Sequence, residues 1–381
     1  MKLFAPLTSK IRLIGLFFAK PGILFYTLPW LMFLIVMGTI TQKDLGLYDA
    51  TQKYFSSLIL WLGPVPTPGG ITTIGVIFIS LTVKFLFYSQ WHKKRIGIIL
   101  THLGILLLIL GGIITAISNK EGFMIIPEGR NINTIAHYYD RVLEISDTKD
   151  TKNILNFDAL EKEQVIEASN LKIKILEKCD NCGARAPTGI YKNLQDLAVN
   201  MELYPRPSEK QKEANFSGLV LGVTTHNNDD DSDDAQAGTY IVMEDIPNNP
   251  IFNLSDNKIE ISLKRATRTL PFSIFLEDFR KINYAQTDKA KEFESDIVIH
   301  DNGITWPHTI SMNKPLRYKG YTFYQSSFEQ LPDVEVTVLN VVQNSGRAFP
   351  YISTLIIFLG LLIHLIIHLE RRKNKQVIKN A

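Results

Sequence analysis

The chain has 381 residues, enough for a folded core and additional elements. Its formal net charge of +3 at pH 7 is modest and gives no indication of nucleic-acid binding. The mean hydropathy of +0.04 is near neutral, but this average combines strongly apolar segments with a long polar region.

The apolar segments are residues 23–40, 71–88, 96–117 and 351–369. Each has about the 17–25 residues that an α-helix needs to cross a bilayer. The sequence therefore predicts a membrane protein with four transmembrane α-helices and a large β-rich extracytoplasmic domain, residues 118–348, between helices 3 and 4. The first segment is predicted to be a span rather than a signal peptide, because residues 39–42 offer no small-residue cleavage site.

Lysines and arginines cluster beside the ends of the predicted spans. They are Lys2, Lys10, Arg12 and Lys20 before the first, Lys93, Lys94 and Arg95 between the second and third, and Arg371, Arg372, Lys373, Lys375 and Lys379 after the fourth. Positive charge near span ends marks the cytoplasmic side. The predicted topology has residues 1–22 and 370–381 cytoplasmic and the 41–70 loop and the 118–348 domain outside the cytoplasm.

The loop 41–70 carries apolar residues at helical spacing. These residues are Tyr48, Phe55, Leu58, Ile59 and Leu62. They predict an amphipathic helix that ends at Gly63-Pro64 and lies against membrane lipid at the outer interface. The alternative is a short soluble helix that covers the spans.

Two histidines lie inside predicted spans, His102 in the third and His364 in the fourth. An ionisable side chain is costly in hydrocarbon and usually faces a partner, a cavity or a ligand. Each imidazole could bond to a neighbouring helix, ligate haem iron or relay protons. The absence of an intramembrane Asp or Glu from the sequence of the spans disfavours the relay.

Glycines in the third span recur at seven-residue intervals, at Gly97, Gly104 and Gly111. Such a stripe predicts the close approach of a neighbouring helix. His102 is two residues from Gly104, which is about 200° around the helix, so it points away from the stripe. In the fourth span, Gly360 lies one turn before His364 and would leave room for a flat ring such as haem.

The 118–348 region contains many short β-rich runs with Gly, Asn and Pro between them, typical of a sandwich or open barrel. The runs are Leu171–Leu176, Leu219–Thr224, Tyr240–Met243, Lys258–Leu263, Phe272–Leu276, Asp296–His300, Tyr321–Tyr324 and Val334–Leu339. They could form one large domain or two lobes. Asn227–Asp234 is the predicted flexible break, and it is favoured as a solvated loop over a calcium loop.

The only two cysteines form the motif Cys179-Asp-Asn-Cys182. Outside the cytoplasm such a pair can be a structural or exposed disulfide, a redox pair or half of a zinc site. The following Gly-Ala-Arg-Ala-Pro disfavours the helix of a thioredoxin-like redox site. His300 and His308 are predicted to be surface or satisfied histidines, and the sequence predicts no catalytic residue and no resident metal.

Three motifs near the end of the polar region carry a family resemblance. They are Pro271-Phe-Ser-Ile-Phe-Leu-Glu-Asp-Phe279, Ser295-Asp-Ile-Val-Ile299 and Ser311-Met-Asn-Lys-Pro-Leu-Arg-Tyr-Lys-Gly-Tyr-Thr-Phe-Tyr-Gln-Ser-Ser-Phe328. Their order resembles the ResB (CcsB) family of cytochrome c biogenesis proteins. Thr101-His-Leu-Gly-Ile-Leu106 resembles the third helix of that family, and the layout of four spans with a large domain before the last also matches.

The resemblance implies a function in the System II pathway, in which a ResB-type subunit acts with a CcsA (ResC) membrane protein. That complex exports haem and attaches it to apocytochrome c. The resemblance also implies a location in the bacterial inner membrane, with the 118–348 domain on the periplasmic side. The family's third-span histidine, a proposed haem ligand at the inner side, corresponds to His102. His364 as a second ligand is an inference from its position, and it competes with a histidine of the partner. The alternatives are a membrane scaffold for a partner and an extracytoplasmic thiol oxidoreductase that uses Cys179 and Cys182.

Overall fold

The computed structural model describes residues 9–147, 152–168, 171–225, 237–244, 246, 249–253, 258–330 and 334–380. The chain divides into two compact units. Unit 1 comprises residues 1–120 and 343–381, and unit 2 comprises residues 121–342. The predicted break at Asn227–Asp234 lies outside the described residues.

Unit 1 is helical. Its elements are α1 (Ser9–Phe18), α2 (Pro21–Leu45), α3 (Leu47–Tyr54), β1 (Ile59–Leu62), β2 (Val65–Pro68), α4 (Gly70–Val83, continued by a π-helical turn to Tyr88), α5 (Ile96–Ser118) and α6 (Phe349–Asn380). Among the described residues, α2, α4, α5 and α6 are the four helices long and apolar enough to cross a membrane. They contain the four predicted spans.

The loop after α2 differs from the prediction. The helix predicted to reach Leu62 ends at Tyr54, and β1 and β2 form an antiparallel hairpin in which Leu62 pairs with Val65. Gly63 has a φ of 62°. Glycine at the first central position of a two-residue turn is typical of a tight hairpin. The Gly63-Pro64 pair therefore reverses a strand rather than ending a helix, and the prediction of a helix across residues 55–62 is wrong.

The glycine stripe of α5 faces α6. A Cβ atom on Gly97 would lie 2.5 Å from the His364 amide nitrogen, and one on Gly104 would lie 2.6 Å from Ile357 Cγ1. Neither position has space for a side chain, so the small residues allow the two backbones to approach closely. The predicted close helix approach is confirmed, and the neighbour is α6.

The basic clusters lie at a common end of unit 1. The Arg371 guanidinium donates to the Lys94 carbonyl at 3.0 Å. The Ser80 hydroxyl, near the end of α4, donates to the Phe18 carbonyl at 2.7 Å, which places the turn before Lys20 at this end too. At the end where α5 finishes and α6 begins, the Thr115 hydroxyl donates to Asn344 Oδ1 at 3.1 Å. Lys94 and Arg371 therefore lie at the same end of unit 1, as the predicted topology requires.

Unit 2 is built from β-strands. They are β3 (Lys120–Pro127), β4 (Asn131–Asp147), β5 (Lys152–Asn156), β6 (Val165–Ala168), β7 (Leu171–Cys179), β8 (Cys182–Arg185), β9 (Glu202–Pro205), β10 (Gly218–Thr225), β11 (Gly238–Met243), β12 (Ile251–Asn253), β13 (Lys258–Asn283), β14 (Ala290–Asp301), β15 (Ile304–Ser311), β16 (Leu316–Tyr318), β17 (Tyr321–Gln330) and β18 (Glu335–Gln343). Seven of the eight predicted β-rich runs fall entirely in these strands, and Val334–Leu339 does so except for its first residue.

The strands form one large and two smaller sheets. The large sheet has the order β15-β14-β13-β4-β3-β18-β17-β16, with β12 beside β13 and β5 beside β4. A four-stranded sheet has the order β11-β10-β7-β6, and β8 pairs with β9. The two long strands β4 and β13 run through the large sheet and are its framework.

Two hydrophobic cores lie along β13. In the first, Ile259 and Ile261 pack with residues of the four-stranded sheet, including Ile173 and Leu221. In the second, Ile274 belongs to a cluster formed within the large sheet. Alternating side chains point to opposite faces of a strand, so one long strand can contribute to both. Unit 2 therefore has two lobes that share strands, rather than two separate domains.

Candidate functional site

The His102 imidazole is held by its own helix. Its Nδ1 lies 2.8 Å from the Ile98 carbonyl oxygen, one turn earlier in α5. A carbonyl only accepts, so Nδ1 carries the proton and Nε2 keeps a lone pair in the neutral ring. A histidine ligand commonly has one ring nitrogen fixed by a hydrogen bond and the other presented to the metal. His102 has this arrangement.

His102 faces away from α6. It follows Gly97 by five residues, so it lies about 140° around α5 from the side that packs on α6. The angle places the imidazole on a side of α5 that α6 does not cover. Leu106, one turn after His102 on this same side, is buried.

His364 is placed differently, because its backbone rather than its side chain faces α5. Its backbone packs against Gly97, while its side chain is exposed and its ring centroid lies 6.4 Å from that of His368. The structure does not bring the His102 and His364 rings to one shared position. Gly360 also differs from expectation: a Cβ atom there would lie 2.6 Å from the Thr101 amide nitrogen, so α5 already fills the space predicted for a flat ring.

Cys179 and Cys182 are joined in a disulfide and are each only 5% exposed. They pack with Leu203, Val220 and Ile241 in a small apolar cluster. The chain continues from Cys182 as a strand, β8, rather than as a helix. A redox partner has little access to sulfurs buried in this way, so the geometry favours a structural role over thiol exchange.

Sequence reasoning missed what the Tyr-Lys-Gly-Tyr part of the third motif does. Lys319 and Gly320 both have positive φ, at 44° and 83°, and form the turn between β16 and β17. Lys319 pairs with Asp301, which also accepts from the Tyr318 hydroxyl. Both interactions lower the pKa of the Asp301 carboxyl, and the bond from Lys319 has the larger effect. The motif thus ties its own turn to the turn at Asn302, so its role in this structure is architectural.

A second carboxylate is anchored in β9, the strand that pairs with β8. Glu202 is 5% exposed and accepts from the Thr188 amide at 2.8 Å, the Thr188 hydroxyl at 2.6 Å and Arg185 Nη2 at 2.7 Å. These bonds, led by the Thr188 hydroxyl, lower the pKa of Glu202 to about 2.

Because the pKa of Glu202 is lower in the folded than in the unfolded chain, its stabilising effect is complete above pH 4.5 and is lost as the pH falls towards 2. We expect Glu202→Gln to lower the melting temperature at pH 7, and the difference from the unsubstituted chain to shrink below pH 4.5. Thermal unfolding followed by circular dichroism between pH 7 and 2 measures this. Glu209→Gln, which alters an exposed pair with Arg206, is the control. A pH-independent difference would contradict the prediction.

Comparison with known proteins supports the family resemblance. The model described as the ResB-like family matches residues 237–348, a segment that contains all three motifs from Pro271 to Phe328. Over this segment the chain is similar to the ResB-like family. The chain is also 30% identical over 115 positions to Protein NrfI of Wolinella succinogenes, an alignment that covers 30% of this chain and only 12% of the length of NrfI. The matched residues do not include His102, so the role of His102 as a haem ligand is a proposal.

Proposed function

We propose that this chain is a ResB-like protein that acts in cytochrome c biogenesis as a membrane subunit that handles haem. The family match and the similarity to NrfI support the role in biogenesis. The observation that carries the haem proposal is His102, an imidazole within an apolar span whose Nδ1 is fixed by Ile98. Haem is the cargo of the proposed complex, and Nε2 of His102 would ligate its iron.

The proposal places the protein in the bacterial inner membrane, with both termini cytoplasmic and unit 2 on the periplasmic side. The common position of Lys94, Arg371 and Phe18 at one end of unit 1 supports this orientation. Because His102 faces away from α6, the second iron ligand comes from a CcsA (ResC)-like partner rather than from His364. Apocytochrome c receives the haem on the outer side.

We expect His102→Ala to reduce the affinity of the purified full-length chain for haemin by at least about tenfold. Loss of even an outer-shell partner of a metal ligand typically costs about 10–100-fold. Titration of the chain in detergent with haemin, followed at the Soret band, measures the affinity. External imidazole should restore part of the binding, because it can occupy the space left by the side chain.

His368→Ala is the matched control, since it removes an exposed histidine from α6. His364→Ala tests the competing ligand and is expected to leave haemin affinity unchanged. If His102→Ala binds haemin as the unsubstituted chain does, the ligand role is wrong. If the substituted chain also supports normal cytochrome c maturation in cells, the scaffold alternative replaces the haem proposal.

A further inference from the structure

An unusual bulge interrupts β4 in unit 2. Arg141 pairs with Arg265 of β13 and Ala136 pairs with Thr267, so the four residues from His137 to Asp140 stand opposite Ala266. Bulges of this kind redirect side chains and are over-represented next to functional sites. This one contains the sequence His-Tyr-Tyr-Asp.

The bulge orients a histidine. His137 Nδ1 lies 2.9 Å from Asp140 Oδ2, and the side chains are 29% and 63% exposed. The carboxylate accepts, so in the neutral ring Nδ1 carries the proton and Nε2 presents its lone pair. A carboxylate behind an imidazole is a common support for a metal-binding histidine. His137 thus repeats, outside the spans, the tautomer that Ile98 imposes on His102.

A buried cluster of charged side chains, Arg141, Arg265 and Glu244, holds the backbone of the bulge. Arg265 Nη1 donates to the Tyr138 carbonyl at 3.0 Å, and Arg141 Nη1 donates to the Tyr139 carbonyl at 2.9 Å. Both arginines bind Glu244, at 2.7 and 2.5 Å, and the Glu244 side chain is fully buried. The backbone between His137 and Asp140 is therefore held in place before any ligand binds.

The number of protein ligands near His137 favours haem over a bare metal ion. In the described part of the chain, His, Cys, Asp and Glu form no cluster of three that could hold an ion. A bare zinc ion needs three or four protein ligands, whereas in haem the porphyrin nitrogens fill the equatorial positions and one imidazole suffices. The partly exposed rings of Phe123 in β3 and Tyr138 in β4 lie 5.2 Å apart next to the bulge, with the Arg265 guanidinium 5.4 Å from the Phe123 ring centroid.

We infer that His137, oriented by Asp140, is a second haem-iron ligand in this chain, separate from His102. The inference rests on the proposed haem-handling function. It gives unit 2 a direct contact with the cargo in addition to any docking role.

The test uses the full-length chain in detergent with haemin as the probe. His102→Ala isolates the second site, and this variant should keep a haemin-binding component. His102→Ala/His137→Ala should lose that component, and external imidazole should restore it in His102→Ala/His137→Gly. In the His102→Ala background, Asp140→Asn should weaken binding about 10–100-fold. His308→Ala, which removes an exposed histidine of β15, should leave it unchanged.

The outcomes separate the two proposals. If the double variant binds haemin as His102→Ala does, or if His102→Ala alone abolishes binding, the second site is wrong and the role of His102 is unaffected. If His137→Ala removes all binding and His102→Ala removes none, the second site stands and the proposed intramembrane ligand is wrong. Circular dichroism of each variant confirms that the β-rich fold is kept.

Discussion

Gly97→Leu is expected to separate α5 from α6 and to destabilise unit 1 by about 3 kcal/mol, the upper part of the range for overpacking. The Cβ atom alone would lie 2.5 Å from the His364 amide nitrogen and 2.7 Å from the Gly360 carbonyl oxygen. These are backbone atoms of a packed helix, so no side-chain rotation relieves the contact. The melting temperature and the monodisperse fraction of the detergent-purified chain measure the effect.

The same helix offers a matched control. Gly112 has no atom within 4 Å of the Cβ position, although its neighbour Gly111 faces Phe349 of α6. Gly112→Leu adds the same side chain to α5 and places it where the structure leaves open space. Equal losses of stability in the two variants would show that the glycine stripe is not a packing surface.

The spans and the glycine stripe could be predicted because both are local patterns. Hydrophobic length defines a membrane helix without reference to the rest of the chain. A seven-residue repeat defines one face of that helix, and only its partner, α6, had to come from the structure. The role of Gly360 was misjudged for the same reason: the sequence shows a small residue, but only the structure shows that Thr101 occupies the space beside it.

The hairpin at residues 59–68 shows where a local pattern is ambiguous. Leu58, Ile59 and Leu62 fit a helical face, yet Ile-Leu-Trp-Leu before a Gly-Pro pair also fits a strand that turns back. The structure has the strand, with Leu60 buried and Ile59 and Trp61 exposed. Because all three residues are apolar, the sequence does not show this alternation, and only the structure distinguishes the strand from the helix.

The candidate second site could not be found from the sequence. His137 and Asp140 are close in the chain, but a histidine three residues before an aspartate is common and carries little information. What distinguishes this pair is the bulge, and the bulge depends on Arg265 and Glu244, more than a hundred residues away. Long-range contacts of this kind leave no spacing pattern that a single sequence can show.

Glu244→Gln is expected to destabilise unit 2 strongly. The glutamate side chain is fully buried between Arg141, 5% exposed, and Arg265, 16% exposed. Gln keeps the shape but removes the charge, which leaves two guanidinium groups close together without a counter-ion. Breaking a buried ion pair costs about 3–5 kcal/mol. For a domain of 150–250 residues this corresponds to a fall of roughly 6–20 °C in melting temperature.

The comparison that decides the point is Glu177→Gln, which breaks the exposed pair with Lys162. A surface pair contributes about 0–1 kcal/mol, so this variant should melt within a few degrees of the unsubstituted chain. Similar melting temperatures for the two variants would contradict a buried role for Glu244.

Because Arg141 and Arg265 hold the Tyr139 and Tyr138 carbonyls, Glu244→Gln should also weaken haemin binding in the His102→Ala background, whereas Glu177→Gln should not. The stability of the lobe and the geometry of His137 thus depend on the same buried carboxylate.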